Sequence, residues 1–213
     1  GIIGYIGAKQ AKPILMDGLR RMEYRGYDSA GIVVVNTEKT VCMKRQGKIS
    51  VLEQAIANEP LEGTLGIAHT RWATHGVPSD ENAHPHADCT GNFYVAHNGI
   101  IENAGLLRKE LISRGHIFSS ETDTEVISHL IEEGDKEAGT FEGAVQYAIS
   151  RITGAYGIAV VSCKDPDLLV AARLGSPLAI GNVGPGEYIV ASDVAAILRY
   201  TREVIYLQDH ELV

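Results

Sequence analysis

Apolar and polar positions along the chain predict short strands towards both ends and amphipathic helices in the middle. Residues Ile2–Ile6 form an apolar run typical of a buried strand, and apolar positions at helical spacing follow Pro13. Further strands are predicted over 31–36, 41–45, 64–70 and 92–97, and a helix over 49–58. Helices over 104–113, 123–133 and 141–152 follow, and then strands over 156–162, 168–172, 178–181, 188–191 and 204–207.

This order of elements decides the predicted fold class. Strands first, helices in the middle and strands last do not give the regular βαβ alternation of parallel-sheet proteins. We therefore predict an α+β protein with two mostly antiparallel sheets and helices packed outside them. No linker, internal repeat or low-complexity tract divides residues 1–213, and this length can bury one sizeable core, so one domain is expected.

Composition narrows the function classes. The formal net charge of −8 disfavours nucleic acid and anionic membrane surfaces as partners, since both reward clustered Lys and Arg. No apolar run reaches the roughly 20 residues of a membrane-spanning helix. Cys42, Cys89 and Cys163 are odd in number and widely spaced, which is typical of reduced thiols, so we expect a cytoplasmic protein.

Asn98 and Gly99 are candidates for an oxyanion hole, which needs hydrogen-bond donors fixed where negative charge develops. Asn98 offers a side-chain NH₂ group, and Gly99 offers a backbone N–H that no Cβ shields. The competing interpretation is structural, because Asn-Gly after a strand is a strong signal for a hairpin turn. Taken alone, the dipeptide favours the turn.

Arg71 and Asp123 are candidates for holding an amino acid. Arg71 could grip a carboxylate with two parallel hydrogen bonds, although a surface arginine paired with a nearby acid is the plainer alternative. Asp123 could take an ammonium group, or it could be an acid interacting with the dipole of a helix beginning there. Trp72, Thr74 and His75 directly follow Arg71 and make its pattern more specific than a lone arginine.

Five of the eight histidines lie between positions 69 and 97, which raises the question of a metal site: His69, His75, His84, His86 and His97. No His-Glu-x-x-His motif occurs, and His84-Pro85-His86 has no acidic or cysteine companion at a familiar spacing. We interpret these residues as hydrogen-bonded histidines and predict no metal. No phosphate-binding or dinucleotide motif is present either, so no cofactor is expected.

Several longer segments together resemble one family, the N-terminal glutaminase domains of glutamine–fructose-6-phosphate aminotransferases. The resemblance covers essentially the whole chain, and the Tyr-Arg-Gly-Tyr-Asp-Ser-Ala-Gly stretch favours this family over other class II amidotransferases. The segments are 23–31 (EYRGYDSAG), 69–76 (HTRWATHG), 82–86 (NAHPH), 97–103 (HNGIIEN), 121–126 (ETDTEV), 155–157 (AYG), 176–178 (SPL) and 191–193 (ASD).

The resemblance implies an N-terminal-nucleophile (Ntn) hydrolase fold, an αββα four-layer sandwich. It also implies hydrolysis of L-glutamine to glutamate and ammonia. The ammonia would convert fructose 6-phosphate to glucosamine 6-phosphate in a C-terminal isomerase domain, within a homo-oligomeric enzyme of hexosamine synthesis. Carried over by position, the resemblance makes Asn98 and Gly99 the oxyanion hole, Arg71 the carboxylate clamp and Asp123 the ammonium partner. It places Trp72, Thr74 and His75 in the pocket wall, and Arg25 and Gly26 beside the nucleophile.

The sequence departs from this family at its start, because the family begins with a cysteine followed by Gly-Ile. Here Gly1 matches the second family position, so the nucleophile would precede Gly1. An N-terminal cysteine supplies both a thiol and an α-amine able to act as a base near neutral pH, which no internal cysteine can do. As printed, the chain is expected to bind glutamine without hydrolysing it. Residues 1–213 are expected to be the glutaminase domain alone, with the isomerase domains absent.

Three alternatives stay open from the sequence. One is another class II amidotransferase of the same fold, such as the purine-pathway enzyme. Another is a glutamine-binding module that has no catalytic activity. A metal hydrolase is a distant third.

Overall fold

The structure, a computed structural model, describes residues 1–72 and 76–213. Its first half contains β1 (Ile2–Ile6), α1 (Ala11–Met22), β2 (Ser29–Val35), β3 (Val41–Gln46), α2 (Ile49–Ile56), β4 (Leu65–Arg71), β5 (His86–Ala87) and β6 (Phe93–Ile101). The second half contains α3 (Ala104–Ser113), α4 (Glu125–Ala138), α5 (Phe141–Arg151), β7 (Gly154–Ser162), β8 (Leu169–Leu174), β9 (Ala179–Gly184), β10 (Glu187–Ala191) and β11 (Val204–Tyr206).

The described strands form two antiparallel sheets, as the sequence predicts. The larger has seven strands in the order β11-β9-β10-β1-β4-β2-β3, and the smaller has four in the order β5-β6-β7-β8. β1 lies in the middle of the larger sheet, between β10 and β4, and its residues are almost completely buried. Burial on both faces explains why its sequence is continuously apolar rather than alternating.

Three apolar clusters show how the layers stack. One packs α1 and α2 against the larger sheet through residues such as Leu15, Leu19 and Leu52. A second packs α3, α4 and α5 against the smaller sheet, and the third fills the space between the two sheets with residues such as Ile67 and Val161. The layers therefore run helix, sheet, sheet, helix, so the predicted αββα sandwich is confirmed. No helix in the described ranges is long and apolar enough to cross a membrane.

The predicted turn at Asn98-Gly99 is wrong. β6 continues through both residues to Ile101, with Asn98 paired to Gly157 and Gly99 paired to Tyr156 on β7. Because the β7 ladder extends this far, the dipeptide lies within a strand. Gly99 has φ +134°, and a Cβ there would lie 2.0 Å from the carbonyl oxygen of Ala155, which only glycine avoids.

Other boundaries also differ from the sequence prediction, at the start of α4 and the end of β9 among others. α4 begins at Glu125 rather than at Asp123, because the Asp123 carboxylate accepts a hydrogen bond from the Ile101 backbone N–H at 2.8 Å instead of capping a helix. β9 continues to Gly184, beyond the strand predicted over 178–181, because its last residues pair with β10.

Candidate active site

A cavity of about 350 Å³ opens where β1 begins and β4 and β6 end. Its size and mixed polar lining are those of a small-molecule site. Strands of both sheets supply side chains to it, so the sandwich itself fixes the relative positions of its walls. The lining residues are Gly1, Arg25, Gly26, His69, Thr70, Arg71, Trp72, His84, His97, Asn98, Gly99, Thr122, Asp123, Thr124, Ser176, Pro177 and Ser192.

The Asn98 side chain is oriented by a hydrogen bond that crosses from one sheet to the other. Its Oδ1 lies 2.9 Å from Nε2 of His69 on β4. An amide oxygen can only accept, so His69 Nε2 carries the proton and Asn98 keeps its NH₂ group available to the cavity. The backbone of Gly99 is exposed beside it. Two donor groups therefore stand next to each other at one wall, as an oxyanion hole requires.

Arg71 ends β4 and is only 4% exposed, so the alternative of a surface arginine is wrong. Its Nη2 donates to the carbonyl oxygen of Gly76 at 3.1 Å, and its Nη1 lies 3.9 Å from the Asp28 carboxylate. Burial lowers the pKa of the Arg71 guanidinium, opposed by the negative charges of Asp28 and Asp123. A cation and Asp123 in one cavity match the two charges of an α-amino acid.

The N-terminal end of β1 forms another wall. The nitrogen of Gly1 donates to the carbonyl oxygen of Thr70 at 2.6 Å, which anchors this end to β4. Arg25 lies beside it and forms an ion pair with Asp193 at 3.3 Å. Gly26, at φ +81°, leaves room for the Trp72 ring, which a Cβ at this position would approach to 2.3 Å. Trp72 is 69% exposed and therefore stands at the mouth of the cavity.

The buried histidines around the cavity each use a ring nitrogen for a polar neighbour. His97 Nδ1 lies 2.8 Å from the Thr124 hydroxyl, and His84 Nδ1 accepts from the His97 backbone N–H at 3.3 Å. Burial lowers the pKa of His97 to about 4 and holds the pKa values of His69, His84 and His86 well below their usual range. These imidazoles are therefore neutral at neutral pH and serve as oriented donors and acceptors.

The structure brings most of the predicted site residues together around one cavity: Arg25, Gly26, Arg71, Trp72, Asn98, Gly99 and Asp123. Thr74 and His75 lie outside the described residues. The sequence analysis assigned no part in substrate binding or catalysis to His69, Thr124, Ser176 or Ser192, which also line the cavity. All four lie inside segments that carried the family resemblance, so that resemblance was the available signal.

Comparison with known proteins shows the family to which this cavity belongs. Residues 69–199 match the family model described as a glutamine amidotransferase domain. The chain is 52% identical over 211 residues to the glutamine–fructose-6-phosphate aminotransferase (isomerizing) of Pyrococcus horikoshii, covering 99% of this chain and 35% of that protein. It is 54% identical over 213 residues to the Symbiobacterium thermophilum protein of the same name, covering 98% of this chain and 34% of that protein. The chain thus spans about a third of the length of these curated relatives.

A solved structure also belongs to the glutamine amidotransferases. The glutamine phosphoribosylpyrophosphate amidotransferase of B. subtilis superposes with a TM-score of 0.77 at 32% identity, over 97% of this chain and 44% of that one. The predicted Ntn hydrolase fold is therefore confirmed. Sequence, fold and cavity agree that the chain belongs to the glutamine amidotransferase domain family.

Proposed function

We propose that residues 1–213 form a glutaminase domain that hydrolyses the side-chain amide of L-glutamine to glutamate and ammonia. The observation that carries the proposal is the cavity in which Asn98 and Gly99 face the start of β1, with Arg71 and Asp123 in the same space. One end of this cavity suits a developing oxyanion, and the other suits the charges of an amino acid. Glutamine has both features.

In this proposal Arg71 binds the α-carboxylate and Asp123 binds the α-ammonium group. Burial of Arg71 favours a tight ion pair, because water competes poorly for the guanidinium there. Trp72 covers the mouth of the cavity, and the assignment of Thr74 and His75 to glutamine binding stays a prediction from the family resemblance. These contacts place the amide carbon of the substrate near the start of β1, where orientation alone can lower the barrier.

A cysteine preceding Gly1 would supply the nucleophile. Its thiolate attacks the amide carbon, its α-amino group takes the thiol proton and passes it to the leaving ammonia, and water then releases glutamate from the thioester. Asn98 and Gly99 donate to the oxyanion at both tetrahedral stages. Arg25 and Gly26 line the nucleophile, and the Arg25–Asp193 ion pair holds that segment in place.

We further propose that the ammonia serves a linked C-terminal isomerase domain, which uses fructose 6-phosphate to form glucosamine 6-phosphate. The support is that the 52–54% identical relatives carry that aminotransferase name, whereas the superposed phosphoribosylpyrophosphate amidotransferase is 32% identical. In this proposal the enzyme is cytoplasmic and homo-oligomeric, and its reaction uses no cofactor.

The decisive experiment measures glutamine binding and ammonia release by the full-length protein with a cysteine before Gly1, and by the same protein starting at Gly1. We expect both to bind glutamine and only the first to release ammonia. Arg71→Lys should weaken glutamine binding while Asn98→Ala should preserve it. Binding without ammonia release by the cysteine-containing protein would show a glutamine-binding module instead. Ammonia release that is insensitive to Asn98→Ala would contradict the proposed oxyanion hole.

A further inference from the structure

A second group of chemically reactive side chains lies outside the glutamine cavity. We call it the Cys89 cluster: Cys89, His116, His129 and Glu132. Cys89 follows β5, His116 lies between α3 and α4, and His129 and Glu132 lie one turn apart on α4. None of the four lines the glutamine cavity. The cluster therefore needs its own explanation.

The distances within the cluster match the edges of one coordination tetrahedron. Cys89 Sγ lies 3.6 Å from His116 Nδ1 and 3.5 Å from His129 Nδ1. The two Nδ1 atoms are 3.3 Å apart, and Glu132 Oε2 lies 3.2 Å from the first and 3.8 Å from the second. Ligands at zinc distances of about 2.0–2.3 Å and tetrahedral angles lie roughly 3.3–3.6 Å from one another. Five of the six separations between the ligand atoms thus fall at or close to the expected values, and all six lie within 4.8 Å.

The hydrogen bonds around the cluster direct lone pairs into it. His116 Nε2 lies 3.1 Å from the Glu133 carboxylate, so Nε2 carries a proton, and in the neutral ring Nδ1 then presents its lone pair to the centre. That lone pair faces a second imidazole nitrogen and a carboxylate oxygen at close range. A single cation between these atoms would accept lone pairs from all of them at once.

The remaining contacts are those that commonly support metal ligands. The backbone N–H of Ile117 donates to Cys89 Sγ at 3.3 Å, which stabilises a thiolate. His129 Nε2 points towards the Glu125 carboxylate, 3.7 Å away. The His116 and His129 side chains are 4% and 1% exposed, so water can offer these nitrogens little compensation.

We propose that the Cys89 cluster binds one zinc ion through Cys89 Sγ, His116 Nδ1, His129 Nδ1 and Glu132 Oε2. A thiolate and a carboxylate neutralise the two positive charges of the ion, and the mixed sulfur, nitrogen and oxygen set suits zinc better than magnesium or calcium. Four protein ligands complete a tetrahedral shell, so the ion is structural. This proposal departs from the sequence prediction of no metal, which weighed only the histidines between positions 69 and 97.

The ion would tie together three segments that are distant in sequence. It joins the turn before β6, the connection from α3 to α4 and the body of α4. The residues just before α4 include Asp123 and Thr124, which belong to the glutamine cavity. The zinc site therefore secures the helix whose start supports the ammonium partner, without contacting the substrate.

Metal analysis of the full-length protein, purified without chelator, tests the proposal. The variants are Cys89→Ser and His129→Gln, and the matched control is Cys163→Ser, which removes a half-buried thiol outside the cluster. We expect wild type and Cys163→Ser to hold one more zinc per chain than Cys89→Ser and His129→Gln. Equal zinc content in all four proteins would overturn the proposal.

A cobalt measurement keeps the test decisive if a cluster variant folds poorly. Wild-type protein and Cys163→Ser, stripped with chelator and then given Co²⁺, should each show the intense d–d bands of a tetrahedral site and a thiolate-to-cobalt charge-transfer band. Glutamine binding reports independently that the stripped proteins remain folded. Folded wild-type protein that develops no such spectrum and takes up no zinc would refute the site. A charge-transfer band that persists unchanged in Cys89→Ser would do the same.

Discussion

The glutamine cavity and the Cys89 cluster both use histidines, but they arrange the ring nitrogens differently. Around the cavity, His69 and His97 each direct a nitrogen to an amide or hydroxyl group, at 2.9 and 2.8 Å. In the cluster, two imidazole nitrogens face each other at 3.3 Å, with a thiol and a carboxylate beside them. The histidines around the cavity orient neutral neighbouring groups, whereas the Cys89 cluster brings several potential metal-ligand atoms to one point.

The difference shows that a metal site is indicated by ligand atoms meeting in space, and not by many histidines lying close together along the sequence. The cavity histidines crowd into a short stretch, and the rings of His69 and His84 stack at 4.3 Å, yet among the described residues they form no group of metal-ligating atoms. The cluster gathers two histidines that are 13 residues apart with a cysteine 27 residues before the first. Each of the following changes should affect one region and spare the other.

The largest effect is expected from Asn98→Ala in the full-length protein carrying a cysteine before Gly1. Loss of one oxyanion donor should lower kcat for ammonia release by about 10²–10³-fold. KM for glutamine should change little, because Asn98 contacts the transition state more than the ground state. Cys163→Ser, which lies outside both regions, should retain wild-type kcat, and its zinc content should match that of Asn98→Ala. A comparable loss of activity in Cys163→Ser would mean that the effect of Asn98→Ala is not specific to the cavity.

Removing zinc should produce the next largest effect, and it should appear in stability rather than in the chemical step. An ion present at 100 times its Kd stabilises the folded state by about 2.7 kcal/mol. For a domain of this size we expect chelator treatment to lower Tm by roughly 5–10 °C. Thermal unfolding with and without chelator measures this shift in wild type and in Cys89→Ser. A chelator shift of the same size in both proteins would place the stabilising ion elsewhere.

The sequence could predict more of the fold than of either site. The spacing of apolar residues identified the strands and helices, because each element buries at least one face and that face must be apolar at the period of a helix or a strand. The Asn-Gly turn signal failed at Asn98-Gly99, where the local turn preference is overridden by pairing with β7. The spacing of apolar residues also could not show that Arg71 is buried, since that depends on the strands around it. Residue chemistry made Asn98 and Asp123 candidates, and family resemblance favoured those predicted roles over the structural alternatives. The Cys89 cluster depends on contacts between distant segments.

A pH effect of intermediate size should separate buried His97 from exposed His210. The pKa of His97 is about 4 in the folded state, below its ordinary value of 6.5. The unfolded chain therefore gains a proton first as the pH falls, so stability is full above pH 6.5 and declines towards pH 4. Between pH 7 and pH 5 the loss attributable to His97 should be about 2 kcal/mol. Denaturant unfolding of metal-free protein at both pH values measures it.

The matched variants for that experiment are His97→Gln and His210→Asn. His97→Gln should reduce the loss of stability between pH 7 and pH 5, because glutamine has no imidazole that the unfolded chain protonates and the folded chain does not. His210 is exposed and has φ 68°, a conformation that asparagine tolerates, so His210→Asn should keep the wild-type loss. If both variants keep the wild-type loss, His97 is not protected from protonation in the folded state.

The smallest effect is expected at His69, which acts only through Asn98. His69→Leu removes the donor that fixes Asn98 Oδ1, a hydrogen bond of about 1 kcal/mol, so kcat should fall about tenfold or less. His69→Gln can place a side-chain N–H near the same point and should recover most of the activity. In the Asn98→Ala background, His69→Leu should cost little further activity, because its partner is already gone. Additive losses in the double variant would mean that His69 acts on the substrate directly, and the cavity histidines would then do more than orient their neighbours.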